Sequence, residues 1–158
     1  MPRVNDAPVV GFVGPSHDRP DAPFWAGLGA GELRMPRCPE CDRWRWPPEW
    51  ICPECHSEQL HWEAVPATGR VYSWTRTWHA FVPELAGHVP YVVVLVELPD
   101  AGGCRLLGLL VDDGARGARC PRRDSEVRIG DPVVGVIQSP GPATGSVAVL
   151  RWRRAEPA

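Results

Sequence analysis

The sequence predicts a mainly β protein made of a short N-terminal helix, a metal-binding ribbon and a small five-stranded barrel. Three observations predict it. Cys-Pro-Glu-Cys occurs twice, five short β-type runs follow residue 65, and 19 Pro and 16 Gly interrupt a 158-residue chain that has no long helix-period stretch. A chain of this length forms one compact domain, or a small domain with an appended module.

Residues 1–20 read as a polar, Pro-rich arm whose one apolar run, Val9 to Val13, could dock elsewhere. Residues 21–62 form the helix and ribbon. Asp21 is placed to cap a helix with Pro23 just inside it, and Phe24, Trp25 and Leu28 make its apolar side. Gly27, Gly29 and Gly31 weaken that helix, so it needs a surface to pack against. Leu33 to Arg37 reads as a strand leading into the first cysteine pair. Residues 63–158 form the barrel, with strands expected at Gly69–His79, Tyr91–Leu98, Cys104–Val111, Pro132–Gln138 and Ser146–Arg153. Five strands suit an OB-fold. The continuously apolar run Tyr91 to Val96 predicts a central strand buried on both sides.

The cysteines carry the clearest chemistry. Cys38-Pro39-Glu40-Cys41 and Cys52-Pro53-Glu54-Cys55 stand ten residues apart. Two facing Cys-x-x-Cys knuckles supply four thiolates at the corners of a tetrahedron, which Zn²⁺ accepts; iron also fits such a ribbon. The knuckles also turn backbone N–H groups toward sulfur. Their next residues, Asp42 and His56, stand where the chain often needs positive φ. Four cysteines close the coordination sphere, so the metal is expected to be structural, with no place for His56 or His61 as a ligand.

Between the knuckles lie Arg43, Trp44, Arg45, Trp46, Pro47, Pro48 and Trp50. These rings could cover a ribbon with little core, face a partner protein, or stack on bases. Tyr72, Trp74, Arg76 and Trp78 alternate along the first barrel strand, which places them on one face as packing, protein-binding or base-stacking groups. Arg116, Arg119, Arg122 and Arg123 crowd one loop and could hold the phosphates of a ligand, although Asp112, Asp113, Asp124 and Glu126 around them also fit a solvated loop. Cys120 in that loop reads as a low-pKa thiol and Cys104 as a buried one. His79 and His88 flank an apolar loop with no nucleophile in a recognised motif, so no catalytic residue is assigned.

Composition narrows the partners. Lys and Arg total 17 against 19 Asp and Glu, a balance that argues against a general nucleic-acid binder. No membrane span or signal-like segment is visible, and paired cysteines used as metal ligands suit a cytoplasmic location.

The order Phe24-Trp25, Gly31-Glu32-Leu33, the two knuckles, Trp62, Gly69-Arg70-Val71-Tyr72-Ser73-Trp74, Pro90-Tyr91 and Ile129-Gly130-Asp131-Pro132-Val133 resembles the DUF35 family over roughly residues 23 to 153. The resemblance implies a rubredoxin-like zinc ribbon joined to an OB-fold. It also implies association with a thiolase-superfamily subunit that carries the catalytic residues for an acyl-CoA substrate. The chain has no room for the hydratase domain fused to some members, so a free-standing, non-catalytic partner subunit is expected. Trp25, Trp44, Trp46 and Trp50, with Trp74 and Trp78 on a barrel face, are its expected interface in a two-plus-two hetero-oligomer. A stand-alone acyl-CoA carrier and a single-stranded nucleic-acid binder are the alternatives.

Overall fold

The structure is a computed structural model that describes residues 19–81, 83–111, 127–139 and 147–155, the side chains of residues 84 and 85 excepted. A helix α1 (Ala22–Gly29) precedes a two-stranded antiparallel sheet of β1 (Arg34–Arg37) and β2 (His61–Ala64). The five remaining strands, β3 (Thr68–Thr77), β4 (Tyr91–Leu98), β5 (Cys104–Val111), β6 (Pro132–Gln138) and β7 (Val149–Arg154), close a barrel in the order β3-β4-β5-β7-β6. The β5–β7 contact is parallel and the other pairings are antiparallel. This is the Greek-key closure of an OB-fold, as the spacing of the strands predicts.

The helix is held by packing more than by its cap. Asp21 occupies the N-cap position, yet its carboxylate makes no cap bond and instead accepts from the Trp25 indole N–H at 2.9 Å. Phe24 and Leu28 are buried. Gly27 is required between them: a Cβ there would lie 2.9 Å from the Arg34 side chain and 3.0 Å from the Glu32 carbonyl, so glycine lets the helix close onto β1.

The barrel core alternates along each strand. Val92, Val94, Val96 and Leu98 of β4 are fully buried beside Val71, Leu106, Leu110, Val133 and Trp152. Tyr91, Val93, Leu95 and Glu97 are only half-buried, so β4 is not buried on both sides as its apolar run suggests. A closed barrel has one inner face, and only every second residue can reach it. Gly108 makes room for Trp152, whose indole would stand 2.8 Å from a Cβ at that position.

Candidate functional site

The ribbon is two tight turns that face each other. In the first, the Cys38 N–H donates to the Arg43 carbonyl and the Asp42 N–H to the Cys38 carbonyl; in the second, Cys52 with Ser57 and His56 with Cys52 repeat the pattern. Both turns need a left-handed residue, and Asp42 (φ 65°) and His56 (φ 60°) adopt it at the two positions the sequence marks. The fold then brings Cys38, Cys41, Cys52 and Cys55 together, all four sulfurs within 4.8 Å of one another.

The spacing suits a metal. A tetrahedral ion with Zn–S bonds of about 2.3 Å holds its sulfurs about 3.8 Å apart, and the Cys38–Cys55 and Cys41–Cys52 sulfurs are 3.6 Å apart. Cys38 and Cys52 are buried, Cys41 is half-buried and Cys55 is exposed. The thiols differ in acidity. The Cys41 backbone N–H, helped by that of Glu40, pulls Cys38 below its ordinary value against the effect of burial. The N–H of Cys55, helped by that of Glu54, likewise pulls Cys52 down to about 6. The Arg43 N–H acts the same way on Cys41, but burial and hydrogen bonds to its fellow cysteines push that thiol up to about 12. Cys55 also rises: burial and its bonds to Cys38 and Cys52 outweigh the Ser57 N–H. Each sulfur thus has a backbone donor that stabilises the thiolate form, and the four together can close the coordination sphere of one metal ion.

The aromatic residues divide into two groups. Trp25, Trp44 and Trp46 are half-buried and pack against the core. Phe24 meets Trp25 edge-on at 5.2 Å and Trp46 at 4.8 Å. Trp44 lies over Gly102, where a Cβ would come within 2.6 Å of the indole, and the Arg37 guanidinium lies over its ring at 5.1 Å. These rings fill the seam between helix, ribbon and barrel. Trp50 and Ile51 instead stand out from the ribbon, Trp50 being 66% exposed.

The β3 row does not share one face. The register slips between Val71 and Ser73, which leaves Tyr72 as an extra residue opposite β4. A bulge of one residue reverses the side-chain alternation beyond it. Tyr72 therefore stays on the outer face, under the Arg105 guanidinium at 3.4 Å. Trp74 and Arg76 pair with Val94 and Val92 and so share their inner side. Trp74 is nonetheless 39% exposed. Its half of β3 runs past β6, which pairs only as far as Arg70. Trp78 and Phe81 lie beyond the strand end and are exposed, whereas Arg76 is half-buried. Sequence alternation misses the slip because a bulge leaves no mark in the pattern of residue types.

Arg116, Arg119, Arg122, Arg123 and Cys120 lie outside the described residues, as does the Val9 to Val13 run. Cys104 is half-buried, and burial raises its thiol pKa, as expected of an inert cysteine. A groove of about 570 Å³ between the ribbon sheet and β6 is lined by Leu33, Val65, Ala67, Ile137 and neighbouring backbone, with Glu32 its one ionisable group. No helix among the described residues is long and apolar enough to cross a membrane.

Known proteins share this arrangement. The family model described as ChsH2, rubredoxin-like zinc ribbon domain, matches residues 25–61, and that described as ChsH2, C-terminal OB-fold domain, matches residues 62–138. Among solved structures, a chain of the "Ltp2-ChsH2(DUF35) aldolase" is 30% identical, with a TM-score of 0.70 over 89% of this chain and 98% of that one. A DUF35 protein of unknown function from Sulfolobus solfataricus, 18% identical with a TM-score of 0.53 over 87% of each chain, shares the fold. A curated relative from Thermomonospora curvata, "Probable enoyl-CoA hydratase alpha subunit", is 38% identical over 99 residues; the match covers 61% of this chain and 29% of that protein.

Proposed function

Because the chain belongs to the DUF35 family, with a ChsH2-type zinc ribbon and OB-fold, we propose that it is a non-catalytic partner subunit of a thiolase-like enzyme acting on acyl-CoA substrates. The observation that carries this reading is the likeness over 98% of a chain from a structure whose name joins Ltp2 to the DUF35 protein as an aldolase. The hydratase subunit name of the Thermomonospora curvata relative supports acyl-CoA chemistry nearby, although the matched region is under a third of that protein.

The site chemistry agrees. A four-thiolate centre has no open coordination position, so its ion organises the ribbon and takes no substrate. We assign that ion as zinc, held by Cys38, Cys41, Cys52 and Cys55. Trp50, Trp74 and Trp78 are large exposed rings of the kind that anchor protein interfaces. Arg116, Arg119, Arg122 and Arg123 are our candidates for the CoA phosphates, on guanidinium chemistry alone. A thiolase-like dimer would present two equivalent sites, hence a two-plus-two assembly.

Affinity purification of the tagged full chain from its native cells tests the reading. A stoichiometric thiolase-like partner whose acyl-CoA turnover rises on complex formation is expected. Turnover of an acyl-CoA ester by the pure chain alone, abolished by one substitution in it, would refute the accessory role.

A further inference from the structure

The four cysteines of the ribbon are not equally sheltered. Cys38 and Cys52 are buried and Cys41 is half-buried, whereas Cys55 is exposed. The opening around Cys55 is continuous, because Ile51, Pro53, Glu54 and His56 on the same knuckle are exposed as well. Oxidation of a cysteine follows its thiolate character and its access to solvent, and burial is what keeps structural cysteines inert. A bound metal ion holds each of its sulfur ligands as thiolate. Cys55 therefore combines a deprotonated sulfur in the metal-bound centre with the widest access of the four.

A second sulfur stands close to it. The Cys55 Sγ lies 3.6 Å from that of Cys38, and the Cys41 Sγ lies 3.6 Å from that of Cys52. Both pairs cross from one knuckle to the other. A disulfide needs its sulfurs about 2.05 Å apart, so the Cys38 and Cys55 atoms have only about 1.5 Å to close. Direction of attack favours the same pair. An oxidant arriving from solvent adds its oxygen on the open side of Cys55, and displacement at sulfur comes from opposite the leaving oxygen. Cys38 is buried and so sits on the protein side, whereas Cys41 is half open to solvent.

We propose that Cys55 is a hydroperoxide-reactive site with Cys38 as its resolving thiolate, so that oxidation links the two knuckles and ejects the metal. The proposal rests on the reading that the four cysteines hold a metal ion. In the first step the Cys55 thiolate attacks hydrogen peroxide: an S–O bond forms, the O–O bond breaks, and hydroxide leaves behind a sulfenic acid. The Cys38 thiolate then attacks that sulfur: the S–S bond forms, the S–O bond breaks, and a second hydroxide leaves. Two electrons pass from the two sulfurs to the peroxide, and the ion departs with its charge unchanged because two of its ligands are gone. A second equivalent of peroxide joins Cys41 to Cys52 in the same way. The ribbon then lacks the folding free energy of its ion.

The test uses the full chain loaded with zinc and treated with hydrogen peroxide. A colorimetric chelator reads zinc release, a 1,3-dione reagent traps sulfenic acid, and peptide mass spectrometry maps the trapped residue and the first disulfide. The trap is expected on Cys55, the first disulfide between Cys38 and Cys55, and zinc release in step with that disulfide. Cys55→His keeps four ligands but removes the open thiolate, and should slow peroxide-driven zinc release by about tenfold or more. Cys104→Ser, away from the centre, should release zinc at the wild-type rate. A wild-type chain that takes up no zinc removes the metal reading and this proposal together. Zinc that binds but stays in place under peroxide overturns the proposal alone. So does a trap on another ribbon cysteine, or a first disulfide inside one knuckle. Release from Cys55→His as fast as from wild type overturns it as well; if that variant does not hold zinc, the wild-type mapping still decides.

Discussion

Trp46 and Trp50 stand four residues apart in the ribbon insert and are expected to fail in opposite ways when cut to alanine. Trp46 is half-buried, packs against the core and meets the buried Phe24 ring at 4.8 Å. Truncating a fully buried Trp costs about 3–5 kcal/mol, and a half-buried one about half of that. The aromatic pair adds about 0.5–1.5 kcal/mol. Trp46→Ala should therefore destabilise the chain by about 2–4 kcal/mol, a melting-temperature drop of roughly 5–15 °C for a protein of this size. Trp50 is 66% exposed, so Trp50→Ala should change stability by no more than about 0.5 kcal/mol. If its ring anchors the partner enzyme, the same change should weaken the complex by more than about 2 kcal/mol. Urea denaturation followed by circular dichroism gives the first quantity, calorimetric titration of the partner the second, and elemental analysis should show metal retained in both variants. A Trp46→Ala protein as stable as wild type, or a Trp50→Ala protein that loses stability, would refute this division into seam and surface.

Three further outcomes follow from the geometry. Cys41→Ser should release the metal and melt the ribbon, because a structural ion contributes folding free energy directly; elemental analysis and a melting curve check it, and unchanged values would move the site elsewhere. Metal affinity should fall as pH falls, since binding must keep protons off thiols held high at Cys41 and Cys55, and should fall more steeply below about 6, where Cys52 loses its thiolate as well; chelator competition at several pH values reads this, and a flat profile contradicts it. Gly102→Ala combines left-handed strain with a Cβ 2.6 Å from Trp44 and should cost about 2–4 kcal/mol. Gly103→Ala is left-handed in open space and should cost about 1–2 kcal/mol from strain alone; equal denaturation midpoints for the two would refute the Trp44 contact.

Local chemistry makes much of this protein legible in its residue order. Knuckle spacing identifies the four thiols because a tight turn places its two cysteines within reach of one ion whatever surrounds them. Asp42 and His56 are readable as left-handed positions for the same local reason. The strand bounds of β4, β5 and β6 follow from Pro and Gly at their ends, since those residues constrain the backbone without help from the rest of the chain. Tertiary structure alone decided how these pieces meet. The bulge at Tyr72 turns an apparent aromatic row into two faces, and its cause lies in the pairing with β4, not in β3 itself. Helix, ribbon and barrel claim Trp25, Trp44 and Trp46 for their seam while leaving Trp50 out. Those residues are chemically alike in the sequence, so only the positions of their neighbours separate core from surface. The same holds for Arg45: its type is polar and its neighbours in the chain suggest an exposed face, yet hairpin pairing with Pro36 turns it inward. Burial is a property of packed elements, and no periodicity in a ten-residue insert encodes it.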